Sequence, residues 1–180
     1  GGTGMSTLKV STIEPLDSDT TNTITIGSSG DTVNLAGTVS GAGITVAGQF
    51  RFTSNFANAG NGQTEDITAN IEENDTSYSR VGSAITQSSG IFTFPSTGIY
   101  LVTALVWFNP TSASSGVSLF IKGTANNSSY ADLAKITTGA SGDGRPEVIT
   151  ANAIFDVTNV STHKIKLATN GGDYILLFLN

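Results

Sequence analysis

The stretch GIFTFPSTGIYLVTALVWFN, residues 90–109, contains two apolar runs separated by the tetrapeptide Pro95-Ser96-Thr97-Gly98. Proline presets the φ angle near the start of a turn, and glycine allows a positive φ. We therefore predict a β-turn at residues 95–98 between a strand at 91–94 and a strand at 99–108.

The predicted strand 99–108 is apolar on both of its faces. Side chains alternate between the two faces of a strand. One face carries Tyr100, Val102, Ala104, Val106 and Phe108, and the other carries Ile99, Leu101, Thr103, Leu105 and Trp107. A strand with one solvated face would be polar on that face. This strand therefore needs a second sheet of the same chain on one side, and either more of this chain or another subunit on the other.

The rest of the chain also favours short strands. Gly, Ser, Thr and Asn are abundant, only 12% of residues are charged, and no segment shows a convincing helical period. We predict further strands at residues 49–56, 67–71, 78–85, 117–122, 133–137, 148–157, 164–168 and 174–179. In strand 164–168, Ile165 and Leu167 are expected inside and the two lysines outside. The last strand, YILLFL, is apolar on both faces, so it belongs beside strand 99–108 in an inner sheet. The pattern predicts an all-β, two-sheet antiparallel sandwich whose inner sheet also faces neighbouring subunits.

The first part of the chain differs sharply in composition from the rest. Residues 1–4 are interpreted as an expression scar, and residues 5–49 contain none of the 14 aromatic residues. Short apolar pairs separated by Gly-rich turns are too sparse to bury a core. This segment therefore either stays disordered or winds with partner copies into a thin β stalk, and we expect the stalk. Residues 50–180 form the head domain.

A short signature resembles that of complement-C1q-like and tumour-necrosis-factor-like (TNF-like) domains. It has the form G-x-F-x-x-P-x-x-G-x-Y and matches at Gly90, Phe92, Pro95, Gly98 and Tyr100. The resemblance implies a jelly-roll head that forms a compact homotrimer.

A second resemblance concerns the N-terminal part. The run IGSSGDTVNL at residues 26–35 is similar to segments found at the start of bacteriophage tail-fibre and virion-appendage proteins. It implies that residues 5–49 attach the head to other virion proteins. The residues after Met5 do not open a signal peptide, so we expect synthesis in the host cytoplasm and location in the virion.

Net charge and the length of the apolar runs argue against a nucleic-acid partner and against membrane insertion, respectively. The formal net charge is −6, and the eight Lys and Arg residues are scattered along the sequence. We therefore expect no nucleic-acid partner. No apolar run reaches the roughly 18 residues of a spanning helix, so we expect no membrane insertion.

The sequence offers little catalytic or metal-binding chemistry. The chain has no cysteine and one histidine, His163, which we interpret as an exposed turn residue rather than a catalytic base. Zinc is not expected. Asp132, Asp143 and Glu147 are candidate calcium ligands, but the acidic groups, including Glu72, Glu73 and Asp75, are interpreted as solvated. We predict no catalytic residue, no metal site and no cofactor.

Recognition is assigned to polar loops on the sheet scaffold. The receptor-binding candidates are Tyr130, Asp143 and Arg145. Covering of neighbouring strands is the alternative role for Tyr130 and Arg145. The trimer-interface candidates are Ile99, Leu101, Leu105, Trp107, Ile175 and Leu177.

The sequence leaves several functions open. The first is a non-enzymatic phage fibre or knob whose homotrimeric head adheres to a host-surface glycan or protein. The alternative is a structural protein that decorates a capsid or connects virion parts and has no receptor. A secreted C1q-like ligand is disfavoured by the lack of a Gly-X-Y stalk, and a hydrolase by the lack of a catalytic constellation.

Overall fold

The computed structural model describes residues 29–30, 32, 43–56, 63–75, 80–108, 114–140, 147–170 and 175–178. The chain divides into two compact units, residues 1–41 and 42–180. Nearly all described residues belong to the second unit, which we call the head. The predicted β stalk at residues 5–49 lies largely outside the described residues.

Eleven strands are described, and no helix occurs among the described residues. The strands are β1 (Phe50–Phe52), β2 (Thr64–Asp66), β3 (Ile71–Glu73), β4 (Thr86–Ser88), β5 (Ile91–Thr93), β6 (Gly98–Phe108), β7 (Ser114–Thr124), β8 (Ala131–Ala140), β9 (Glu147–Val157), β10 (Lys164–Asn170) and β11 (Ile175–Phe178). They form an inner sheet, in the order β3-β1-β11-β6-β9, and an outer sheet, in the order β4-β5-β10-β7-β8, with β2 also paired to β10. Every described strand pair is antiparallel. The prediction of an all-β jelly-roll sandwich is confirmed.

The inner sheet is built on the strand that the sequence singled out. β6 pairs with β9 along its whole length, from Gly98 opposite Val157 to Phe108 opposite Glu147. On its other side β6 pairs with β11, so the two strands that are apolar on both faces lie side by side, as predicted. Four alternate side chains of β6 are buried, namely Val102, Ala104, Val106 and Phe108. The period-two alternation therefore points one face of β6 into the core.

The hydrophobic core lies between the two sheets and contains most of the buried aromatic rings. The rings of Phe50 and Phe92 meet edge to face with centroids 5.0 Å apart, and those of Phe94 and Phe155 lie 5.8 Å apart. Such pairs add about 0.5–1.5 kcal/mol to the free energy gained by burying their area. Because β5 ends at Thr93 in the outer sheet and β6 begins at Gly98 in the inner sheet, the bend at residues 95–97 takes the chain from one sheet to the other.

Two predicted strands are wrong, and a positive φ angle explains each. Residues 67–71 are not one strand, because Asn70 has φ 63° and separates the fully buried Ile67 from β3. Residues 80–85 contain only an isolated bridge at Val81, because Gly82 has φ 67° and lies against the Thr45 carbonyl. Asparagine and glycine tolerate this left-handed conformation, which interrupts a ladder.

Three further expectations need correction. The head begins before Phe50, because the backbones of Ala47 and Val81 are hydrogen-bonded and Asn74 donates to the carbonyl of Gln49. β7 and β8 are longer than the predicted strands 117–122 and 133–137, because they also include residues 114–116 and 138–140. Lys164 is buried rather than exposed, and its Nζ donates to the carbonyl of Val160 at 2.8 Å.

Candidate interaction surfaces

The outward face of the inner sheet carries a row of apolar side chains that is interrupted by the hydrogen-bonded polar pair Thr103 and Asn152. Leu101 of β6 lies directly opposite Ile154 of β9, and the two residues are 73% and 74% exposed. Ile99 is 76% exposed at one end of the row, and Val148, opposite Trp107, is 57% exposed at the other. Exposed apolar side chains grouped in this way mark an interaction surface. We call this surface the apolar face.

A crevice enlarges the apolar face at the start of β6. Residues 43–48 and residues 96–101 line a space of about 540 Å³. Ile44, Ile99 and Leu101 contribute apolar side chains that are largely exposed. The apolar face is therefore grooved at one edge, a shape that can receive a protruding side chain from a partner.

The structure places the predicted interface residues in two different rows. Ile99, Leu101, Leu105 and Trp107 alternate with the core positions of β6, and Leu105 and Trp107 are half-buried. Residues 175 and 177 of β11 pair with Phe108 and Val106, which are core residues. Residues 176 and 178 pair with Trp107 and Leu105 instead. The backbone register therefore pairs residues 175 and 177 with core-facing positions of β6, and residues 176 and 178 with its outward-facing positions.

Tyr130, a predicted receptor-binding residue, lies just before β8 and contacts the outer sheet. Its ring lies 4.2 Å from Nζ of Lys166, which is ion-paired with Asp66. The Tyr130 hydroxyl is buried and has no hydrogen-bond partner within the described part of the head. This burial, together with the negative charge of Asp66, raises the pKa of Tyr130 above its ordinary value. At neutral pH the hydroxyl is therefore a protonated donor.

The turn before Tyr130 is held by one asparagine. The Asn126 side-chain oxygen accepts hydrogen bonds from the backbone N–H groups of Ser128 and Ser129 at 3.0 and 2.9 Å, and from the Thr124 hydroxyl at 2.9 Å. Asparagine commonly stabilises turns in this way. The turn at residues 125–129 is thus a firm support for the tyrosine that follows it.

Arg145 and Asp143, the other receptor-binding candidates, lie outside the described residues. Of the candidate calcium ligands, Asp132 instead pairs with Lys122 at 3.0 Å, and Glu147 opens β9. Among the described acidic and histidine residues, no group of three is close enough to hold a metal ion. No helix within the described ranges of the chain has the length and hydrophobicity to span a membrane.

Glu72, Glu73 and the histidine have structural partners. Glu72 and Glu73 lie in β3 rather than in a solvated loop, and they pair with Arg51 and Arg80. The His163 ring lies next to the turn after β9, where its nitrogens contact the hydroxyls of Thr158 and Thr162, each at 3.1 Å. These contacts hold the turn together.

Sequence reasoning missed two sets of surface residues. Val148 and Ile154 are exposed on β9, a strand on which no interface residue was predicted. The second set is a group of lysines on the outer sheet, Lys122, Lys135 and Lys166, which are far apart in sequence and come together only when β10, β7 and β8 pair. The period-two alternation of residues 148–157 could have predicted the first set. No local sequence pattern predicts the second set, because its members are brought together by the pairing of distant strands.

Comparisons with known proteins identify the fold. No protein-family model matches the chain, and no curated protein matches it. Among solved structures, murine APRIL at pH 5.0 is similar, with a TM-score of 0.54, 11% identity, and 75% of this chain and 98% of that chain covered. Eiger TNF from S. frugiperda also has a TM-score of 0.54, with 12% identity and 75% and 86% of the two chains covered. The head therefore has a TNF-like jelly-roll fold, as the signature at residues 90–100 implied.

Proposed function

We propose that this chain is a non-enzymatic appendage protein of a phage virion, in which a homotrimeric jelly-roll head is displayed for adhesion to the host surface. The observation that carries the proposal is the apolar face, with Leu101 and Ile154 exposed opposite each other. A head left as a monomer would keep this surface in water.

The apolar face supports self-association. Exposed apolar patches on soluble proteins mark protein contacts, and most soluble oligomers contain identical copies arranged with closed symmetry. The C1q-like and TNF-like resemblance of residues 90–100 implies three copies. The crevice beside residues 43–48 gives the partner copy a place to insert side chains.

In the proposed trimer, the outer sheet is the surface that remains available for adhesion. If the outward face of the inner sheet is covered by partner copies, the outer sheet and the turn that precedes Tyr130 stay accessible. Three copies of one weak site on a rigid assembly gain avidity without any new contact. Residues 5–49 would attach the head to other virion proteins, as the resemblance of residues 26–35 implies.

Binding to cells tests adhesion against a purely structural role. We expect the labelled full chain to bind host cells, and the double variant Tyr130→Ala, Arg145→Ala to lose most of that binding. Arg80→Ala is the matched control, because it removes a cation that pairs with Glu73, away from the proposed receptor site. A full chain that ignores host cells but binds emptied virions would overturn adhesion and favour a capsid-decoration or connector protein.

A further inference from the structure

Three lysines share the outward face of the outer sheet. Val117, Leu119 and Ile121 of β7 are buried in the core, so the alternate residues Phe120 and Lys122 face outward. Lys166 of β10 lies directly opposite Lys122, and Lys135 of β8 lies directly opposite Phe120. We call Lys122, Lys135 and Lys166 the lysine cluster.

Aromatic rings hold the ammonium groups of the lysine cluster in place. The Phe120 ring is only 4% exposed and lies 5.6 Å from Nζ of Lys122 and 5.1 Å from Nζ of Lys135. The Tyr130 ring lies 4.2 Å from Nζ of Lys166. The negative face of an aromatic ring attracts a cation at such distances. All three ammonium groups are therefore positioned by rings instead of extending freely into water.

The charges of the lysine cluster are incompletely balanced by protein groups. Asp132 pairs with Lys122, and Asp66 pairs with Lys166. Lys135 has no acidic partner in the described part of the head, so three cations face two anions and leave one net positive charge. Like charges directly opposite each other on paired strands, as at Lys122 and Lys166, are destabilising. An additional anion would relieve that repulsion, and each ammonium has donors beyond the one that its carboxylate uses.

The Tyr130 ring, rather than its hydroxyl, contributes to this surface. The hydroxyl is buried without a hydrogen-bond partner among the described residues, so a ligand on the surface does not reach it. The ring contributes by holding the ammonium group of Lys166. A carboxylate has two oxygens and can therefore accept hydrogen bonds from two lysines of the cluster together.

We propose that the lysine cluster binds the carboxylate groups of an acidic polysaccharide on the host surface. The inference rests on the proposed adhesive function and names its ligand. A nucleic acid fits less well, because proteins that bind a phosphate backbone commonly make about 6–10 cationic contacts. The net charge of −6 also opposes a densely charged ligand. Binding one carboxylate for each copy of the head requires only the one net positive charge of the lysine cluster.

Titration of the full chain with polygalacturonate oligosaccharides tests the proposal directly. We expect binding that weakens as salt is added, because lysine–carboxylate contacts at a surface are screened. Lys135→Gln should weaken binding about tenfold, the loss of roughly one charge-assisted hydrogen bond. Lys135 is exposed and its substitution leaves the ion pairs of Lys122 and Lys166 in place, so the variant is expected to fold. A circular dichroism melt checks this, and Lys166→Gln is the second variant, expected to weaken binding similarly.

Two controls make the result specific. Lys9→Gln removes the same charge outside the head and should leave binding unchanged, and neutral dextran should not bind. If dextran sulfate binds as tightly as polygalacturonate, the assignment of the ligand group to carboxylates is overturned. If Lys135→Gln and Lys166→Gln bind polygalacturonate as tightly as the unsubstituted chain, the assignment of the binding site to the lysine cluster is overturned. A chain that adsorbs to host cells without binding polygalacturonate overturns the ligand and spares adhesion, whereas a chain that does neither overturns both.

Discussion

Replacing both Leu101 and Ile154 by glutamate should separate the proposed trimer into folded monomers. The two side chains face each other across β6 and β9, and about three-quarters of each is exposed in the single copy. Full burial of a leucine or isoleucine contributes about 1.5–3 kcal/mol, so each of these side chains has about 1–2 kcal/mol left to contribute on association.

The two losses together amount to about 2–4 kcal/mol for each copy, which corresponds to about a 30- to 700-fold weaker association. Carboxylates placed in an apolar contact weaken it further, because their desolvation is not compensated. Folding of the single copy should not suffer to the same extent, since both positions are already in water. The far-UV circular dichroism spectrum is therefore expected to remain that of a β protein.

Light scattering after size exclusion, at several protein concentrations, measures this change. We expect the double variant to elute with the mass of one chain under conditions in which the natural sequence gives three. Ala125→Glu is the control, because it adds a carboxylate in the exposed turn before Tyr130 and should leave the trimer intact. A double variant that still has the mass of three chains would refute the assignment of the apolar face to self-association.

Three other predictions concern the fold and the outer sheet. Gly90→Ala should destabilise the head by at least about 2 kcal/mol in urea denaturation, because Gly90 has φ 78° and an added Cβ would lie 1.9 Å from the Ile67 carbonyl oxygen; an unchanged denaturation midpoint would contradict this. Phe108→Ala should cost about 3–5 kcal/mol in the same assay, since the ring at the end of β6 is fully buried in the core, and a loss below about 1 kcal/mol would place Phe108 outside a tightly packed core. Burial and the charge of Asp66 raise the pKa of Tyr130 in the folded head above the unfolded-state value of about 10. The folded head should therefore keep the Tyr130 hydroxyl protonated above about pH 10. Its contribution to stability, present below about pH 10, should be lost as the pH rises through the folded pKa. In an ultraviolet titration Tyr130→Phe should remove a late ionisation, and an identical titration curve in the variant would contradict the buried hydroxyl.

The inner sheet was largely predictable because its signals are local. In β6, strict alternation follows a proline- and glycine-containing turn, and the predicted strand 99–108 differs from the observed one only by the inclusion of Gly98. The pairing of β6 with β11 also followed from sequence, since a strand that is apolar on both faces needs a central position. The same reasoning did not fix the register of β11, which places Ile175 and Leu177 opposite core residues. Register depends on a pairing between distant segments, and a shift of one residue exchanges the two faces.

The outer sheet was harder to predict for two physical reasons. First, single residues with positive φ break patterns that otherwise read as strands, as Asn70 does between Ile67 and β3. Second, its surface chemistry depends on long-range pairing. Lys122 and Lys166 are adjacent only because β7 and β10 are neighbours. Tyr130 was chosen from sequence as an aromatic in a polar loop, but its buried hydroxyl and its contact with Lys166 emerge only from the fold.

The most direct test of this account is the solution mass of the full chain, measured by light scattering after size exclusion. The account predicts three times the 18.4 kDa mass of one chain, because the apolar face needs partner copies to leave water. A mass of 18.4 kDa at all concentrations tested would contradict the homotrimer, and the adhesive function that relies on its avidity would then lose its main support.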